Sequence, residues 1–150
     1  MTARLTDYSA ILTQWESERP DAPAITFAGA TRTWAEFAQR VRRVAAGLRA
    51  TGLRPGDRIA VLDLNHPSCL ELTMACAQVG TVNAVVNFRL APPEIVYVIN
   101  DARARVLFVG PEFAGAVEQL RDKIPTVERV VAVGGDADEY EAWLAAHEPD

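Results

Sequence analysis

Lysine is almost missing: of the 15 basic residues 14 are arginine and one is Lys123. Chemistry that needs a primary amine therefore has one candidate. Its setting, Arg121-Asp122-Lys123-Ile124-Pro125, reads as the charged last turn of a helix ended by proline. Cysteine is scarce too, with Cys69 and Cys76 alone. Seven residues apart on one helix, their Cα atoms stand ~10.5 Å apart, beyond disulfide reach. With only His66 and His147 beside them, no zinc-ligand spacing forms, and two unpaired thiols fit a reducing, cytoplasmic setting. No apolar run approaches the ~18–20 residues that cross a bilayer, and Met1 to Asp7 opens no signal peptide. Positive charge is in deficit: the net charge is -5, which argues against a nucleic-acid partner. Phosphate loops are lacking as well. No G-x-G-x-x-G follows a strand, no G-x-x-x-x-G-K-[ST] occurs, and there is no G-x-S-x-G elbow.

What remains is a chain of 150 residues, 49 % hydrophobic, long enough to bury a core. Leu5, Tyr8, Ile11, Leu12 and Trp15 form one helical stripe. Residues 24–27 and 31–33 flank Ala28-Gly29-Ala30 as a short hairpin. Thr33 and Glu36 predict a capping box that opens a helix with Trp34, Phe37, Val41, Val44, Ala45 and Leu48 on its buried side. Arg40, Arg42, Arg43 and Arg49 fall mostly outside that stripe and read as a solvated face.

From residue 58 the pattern alternates. Strands are expected at 58–64, 81–86, 105–109 and 129–133, and helices at 68–79, 92–102, 111–123 and 139–146, with connections of a few residues. Leu70, Leu72, Met74, Ala75, Cys76 and Ala77 predict a helix buried on more than one side. Arg103 and Arg105 read as surface charges. Short crossovers between like strands require a parallel sheet, so the fold class is α/β: flavodoxin-like βα alternation with helices on both faces, preceded by a helix–hairpin–helix layer over residues 1–57.

Such sheets bind ligands at the carboxyl ends of their strands. Those ends carry Asn65-His66, Asn87-Phe88-Arg89 and Gly110-Pro111-Glu112. His66 reads either as a substrate-side residue or as the cap of the helix opened by Pro67. Asn87 can close a turn and Arg89 can meet a phosphate or carboxylate, or pair with Glu94 inside the turn; Phe88 suits the core equally.

Several stretches resemble the adenylate-forming enzymes, the group of acyl-CoA synthetases, aryl-CoA ligases, luciferases and peptide-synthetase adenylation domains. They are Arg19-Pro20-Asp21-Ala22-Pro23-Ala24-Ile25, Arg32-Thr33-Trp34-Ala35-Glu36-Phe37, Gly52 to Ala60, Ala77 to Leu90, and Pro93 to Val109. One departure is Val85, which stands where the family pattern has proline. The asparagine and arginine of Asn87-Phe88-Arg89 are most similar to acyl- and aryl-CoA ligases, and the resemblance places that loop at the coenzyme A entrance.

The resemblance implies an ATP- and Mg²⁺-dependent ligase that makes an acyl-adenylate from a fatty or related carboxylic acid and passes the acyl group to coenzyme A. It further implies that residues 1–150 are the opening portion of the large N-terminal domain, ending short of the phosphate loop and of the C-terminal domain. Expected of the 150 residues themselves are no catalytic or metal-binding residue, no tight binding of ATP, Mg²⁺ or coenzyme A, and self-association through an apolar patch. The alternative reading is a stand-alone, non-catalytic α/β interaction module.

Overall fold

The structure, a computed structural model, describes residues 8–149. The stripe residue Leu5 lies outside them. Helix α1 (Tyr8–Glu18) precedes a hairpin of β1 (Pro23–Phe27) and β2 (Ala30–Thr33), then α2 (Trp34–Ala50). The alternating part follows as β3 (Arg58–Leu62), α3 (Pro67–Val79), β4 (Val82–Val85), α4 (Pro92–Ala102), β5 (Val106–Val109), α5 (Pro111–Leu120), β6 (Arg129–Ala132) and α6 (Tyr140–Ala145). A turn of 3-10 helix, Arg121–Lys123, ends α5 with the lone lysine in it.

Local chemistry sets these bounds. The Glu36 amide donates to Thr33 Oγ1 at 3.3 Å, and the Thr33 amide donates to Glu36 Oε2 at 2.8 Å, so the predicted capping box opens α2. Strand β3 stops two residues earlier than its hydrophobic run, because the Leu64 amide turns back to Asp63 Oδ1 at 2.7 Å. Gly80, in the left-handed region at φ 77°, closes α3.

The strand order is β4-β3-β5-β6, all pairs parallel. Successive residues of a strand point to opposite faces. Ile59, Val61, Val106, Phe108 and Val131 therefore pack with α2, α3 and α6, while Ala60, Leu62, Leu107 and Val109 pack with α4 and α5. The chain leaves β3 for β4, then crosses back over β3 to β5. Crossovers of one hand put helices from the two directions on opposite faces. The sheet is thus covered on both sides, which is why its strands read as unbroken apolar runs.

Three expectations are corrected by packing. Arg40, Arg42 and Arg43 of α2 are ion-paired rather than solvated, while Arg49 is exposed: Arg42 pairs with Glu16 of α1 at 2.7 Å, Arg43 with Glu148 at 3.2 Å, and Arg40 reaches both Glu71 of α3 and Glu141 of α6 at 2.6 Å. Neighbouring helices and the C-terminal segment bring carboxylates over that face. Arg105 is no loose surface charge either, since it bridges Asp57 at 2.7 Å and Glu128 at 2.8 Å. In α3, Leu70 and Ala77 stay exposed although the pattern placed them inside, while Glu71, which the pattern did not mark, is fully buried.

Candidate functional site

The order of the strands reverses at β3, and the carboxyl ends of β3 and β5 flank the crevice where open α/β sheets take ligands. A cavity of about 470 Å³ lies there, lined among others by Asp63, Asn65 and His66 after β3, Glu112 after β5, and Gly134-Gly135 after β6. Phe27 of the hairpin leans over it, edge-on to the His66 ring with the ring centroids 5.2 Å apart. A second cavity of about 340 Å³ shares Phe27, Asn65 and His66 and runs on past Cys69, Leu70 and Thr73.

His66 is the N-cap of α3. Its Nδ1 accepts the Ser68 amide at 3.2 Å and lies 2.9 Å from Ser68 Oγ. An Nδ1 that accepts leaves the proton of the neutral ring on Nε2. The capping reading of His66 is therefore what the geometry shows, and the same ring lines both cavities.

Asn87-Phe88-Arg89 is a turn at the end of β4 and lines neither cavity. Asn87 Oδ1 accepts the Arg89 amide at 3.0 Å. Phe88 packs on the second core cluster, 6.1 Å from Phe113, and Arg89 lies over the Phe88 ring at 5.2 Å. The internal pair to Glu94 is absent, because Glu94 is spent on the Ala91 amide at 2.8 Å, capping α4.

Sequence reasoning missed Asp63, which had been placed inside the strand. Burial raises its carboxyl above the ordinary aspartate value; the Leu64 amide and His66 oppose that shift and Glu112 adds to it. Its Oδ2 is buried without a hydrogen-bond partner. The carboxylate fits only because position 110 is glycine, since a Cβ there would overlap it. Neither cysteine is activated as a thiolate: burial raises Cys69, with Asp63 adding to the shift, and pushes Cys76 up to about 11.

The raised Asp63 value carries a sign. A carboxyl whose folded pKa exceeds its unfolded one contributes stability at low pH that is lost as pH rises through the folded value. Asp63→Asn is thus expected to melt about 1–3 °C higher than the parent at pH 7, with the gap closing below pH 4. Paired thermal melts across pH check it; a variant less stable at pH 7 would show the charge to be compensated.

Comparison with known proteins decides the affiliation. The sequence pattern of the family described as AMP-binding enzyme matches residues 12–150. The chain belongs to that family. It is 48 % identical over 101 residues to a feruloyl-CoA synthase of an Amycolatopsis species, a stretch amounting to 67 % of this chain and 21 % of that protein. It is 40 % identical over 116 residues to a long-chain-fatty-acid–CoA ligase of Thermus thermophilus, covering 77 % of this chain and 21 % of that one. Among solved structures, the N-terminal domain of FACL13 from Mycobacterium tuberculosis matches with a TM-score of 0.89 at 25 % identity, over 97 % of this chain and 38 % of that one. The anthranilate CoA ligase AuaEII, solved with anthranoyl-AMP, matches with a TM-score of 0.88 at 25 % identity, over 95 % of this chain and 27 % of that one. The chain spans about a fifth of the length of the first two relatives.

Proposed function

We propose that this AMP-binding family member is the opening portion of the large N-terminal domain of an AMP-forming acid–CoA ligase, acting on a fatty or related carboxylic acid in the cytoplasm. Residues 1–57 form the helix–hairpin–helix layer of that portion and residues 58–150 its βα repeats. The observation that supports it is the family match over a parallel sheet whose switch-point crevice stands open and lacks a phosphate loop. The matches do not favour the stand-alone interaction module.

The residues at hand do not fit ATP or Mg²⁺. The crevice presents Asp63 and Glu112, which repel a polyphosphate, and the only lysine stands in the turn after α5. Among the described residues no three His, Cys, Asp or Glu side chains gather as a cation would require. Attack of one anion on another needs cationic stabilisation that this set does not provide, so no step of adenylation is assigned to it.

Coenzyme A fits better at the β4 turn. There Arg89 is an exposed guanidinium able to meet a phosphate, with Asn87 fixing the backbone and Phe88 anchoring the turn to the core. When bound, coenzyme A supplies the thiol that accepts the acyl group. His66 is the substrate-side candidate, because its ring borders both cavities.

Two measurements test the proposal together. The 150-residue chain alone is expected to show no ATP–pyrophosphate exchange with fatty and aryl acids. Grafted into the Thermus ligase in place of the matching segment, it is expected to support acid-dependent exchange and thioester formation. Exchange by the chain alone, or a folded but inactive graft, would refute it.

A further inference from the structure

We propose that the open edge of β4 pairs with the same edge of a second copy of this chain, joining two four-stranded sheets into one. The proposal goes beyond the ligase reading and concerns residues 1–150 as a separate chain.

Strand β4 is the outermost strand on its side of the sheet. Its inner contacts include the Val82 amide to Asp57 O at 2.9 Å and the Val86 amide to Val61 O at 2.8 Å. In a parallel ladder every second residue bonds to a given neighbour. Val82, Ala84 and Val86 therefore face β3, and the amide and carbonyl groups of Asn83 and Val85 point outward. Among the described residues no strand pairs there.

Soluble proteins blunt such edges with proline, charge, a bulge or a cover. The opposite edge of this sheet is capped at its carboxyl end: the Ala132 amide of β6 donates to Glu139 Oε2 at 3.2 Å, and the Glu139 amide returns to Ala132 O at 3.0 Å. Strand β4 has no such device. Val82-Asn83-Ala84-Val85 is uncharged and runs in unbroken register with β3. Val82 is 50 % exposed and Val85 61 %. A proline at Val85, as in the pattern noted above, would delete the outward N–H; valine presents it.

The strand complements itself. With Ala84 on a two-fold axis, Asn83 lies opposite Val85 of the second copy and Val85 opposite its Asn83. Each such pair exchanges two N–H···O bonds, so the edge satisfies its own donors and acceptors in an isologous, closed contact. Val82 then faces Val86.

Sedimentation velocity of the 150-residue chain over a concentration series, with amide hydrogen exchange, tests this. The expected result is a concentration-dependent dimer in which the Asn83 and Val85 amides become protected. Val85→Pro is expected to weaken association at least about tenfold with an unchanged circular dichroism spectrum, since its N–H has no partner within one chain. Val85→Lys, which sets two like charges on the residues flanking the axis, is expected to do the same and decides the matter if the proline variant fails to fold. A monomer at every concentration would overturn the proposal. So would a dimer indifferent to both substitutions, with Asn83 and Val85 exchanging as in the monomer.

Discussion

Glu71→Ala is expected to cost about 3–5 kcal/mol of stability, the penalty for leaving a buried ionic partner uncompensated. Glu71 is 0 % exposed, on the face of α3 turned to α2 and α6. It accepts from Arg40 Nε at 2.6 Å, from Arg40 Nη2 at 3.2 Å and from the Tyr140 hydroxyl at 2.8 Å, with Arg32 Nη1 at 3.8 Å. Removing it strands a guanidinium whose side chain is 16 % exposed and a phenol at 1 %. For a domain of this size the melting temperature should fall by about 10 °C or more. Thermal and urea unfolding measure it, and a loss below about 1 kcal/mol would mean that water replaces the carboxylate without penalty.

The same cluster has a pH signature. Burial raises the Tyr140 hydroxyl well above its ordinary value, and Glu71 reinforces that shift. A raised pKa contributes stability that is lost as pH climbs, so the cluster weakens in alkali above pH 10. Glu141 runs the other way. Its hydrogen bond from Arg40 holds the carboxyl below the ordinary glutamate value, and that contribution is lost as pH falls below about 4.5. For Arg40 burial alone would lower the pKa, but the hydrogen bonds to Glu141 and Glu71 outweigh it and the net shift is upward. Replacing Arg40 and Glu71 together by Met and Leu should therefore recover part of what Glu71→Ala loses.

Gly47→Ala is the second large effect. On helix propensity alone the change is favourable by about 1 kcal/mol. Packing reverses the sign, because a Cβ at position 47 would overlap the Trp143 ring, with Cη2 at 2.6 Å and Cε2 at 3.0 Å. That ring cannot step aside: it stacks on Tyr140 at 6.0 Å, meets Phe108 edge-on at 5.6 Å and touches His147 at 5.3 Å. Overpacking in such a setting costs about 1–3 kcal/mol beyond the propensity gain. The expected outcome is a net loss that Trp143→Leu relieves when the two are combined. A double-mutant cycle without coupling between positions 47 and 143 would refute the clash.

Much of the architecture was legible along the chain. Thr33 and Glu36 announced the start of α2, Pro67, Pro92 and Pro111 each marked the first turn of a helix, and the apolar runs after residue 58 announced strands buried on both faces. These are local signals, written within a few residues of the feature they set. The carboxyl ends of the strands were legible as well, and with them His66 and the Asn87-Phe88-Arg89 turn, since alternation alone places every βα loop at one end of a parallel sheet.

What the sequence by itself determined, then, was the order of the elements, the parallel α/β sheet and the affinity with adenylate-forming enzymes, all carried by short-range periodicity and motif spacing. Only tertiary structure decided that Arg40 closes on Glu71 and Glu141, 31 and 101 residues away, that Asp63 lies against Gly110, that Gly47 must stay small for Trp143, and that the amide of Val85 faces outward. Each of these depends on which faces of distant elements meet, and a periodic pattern says that a face is apolar without saying what covers it.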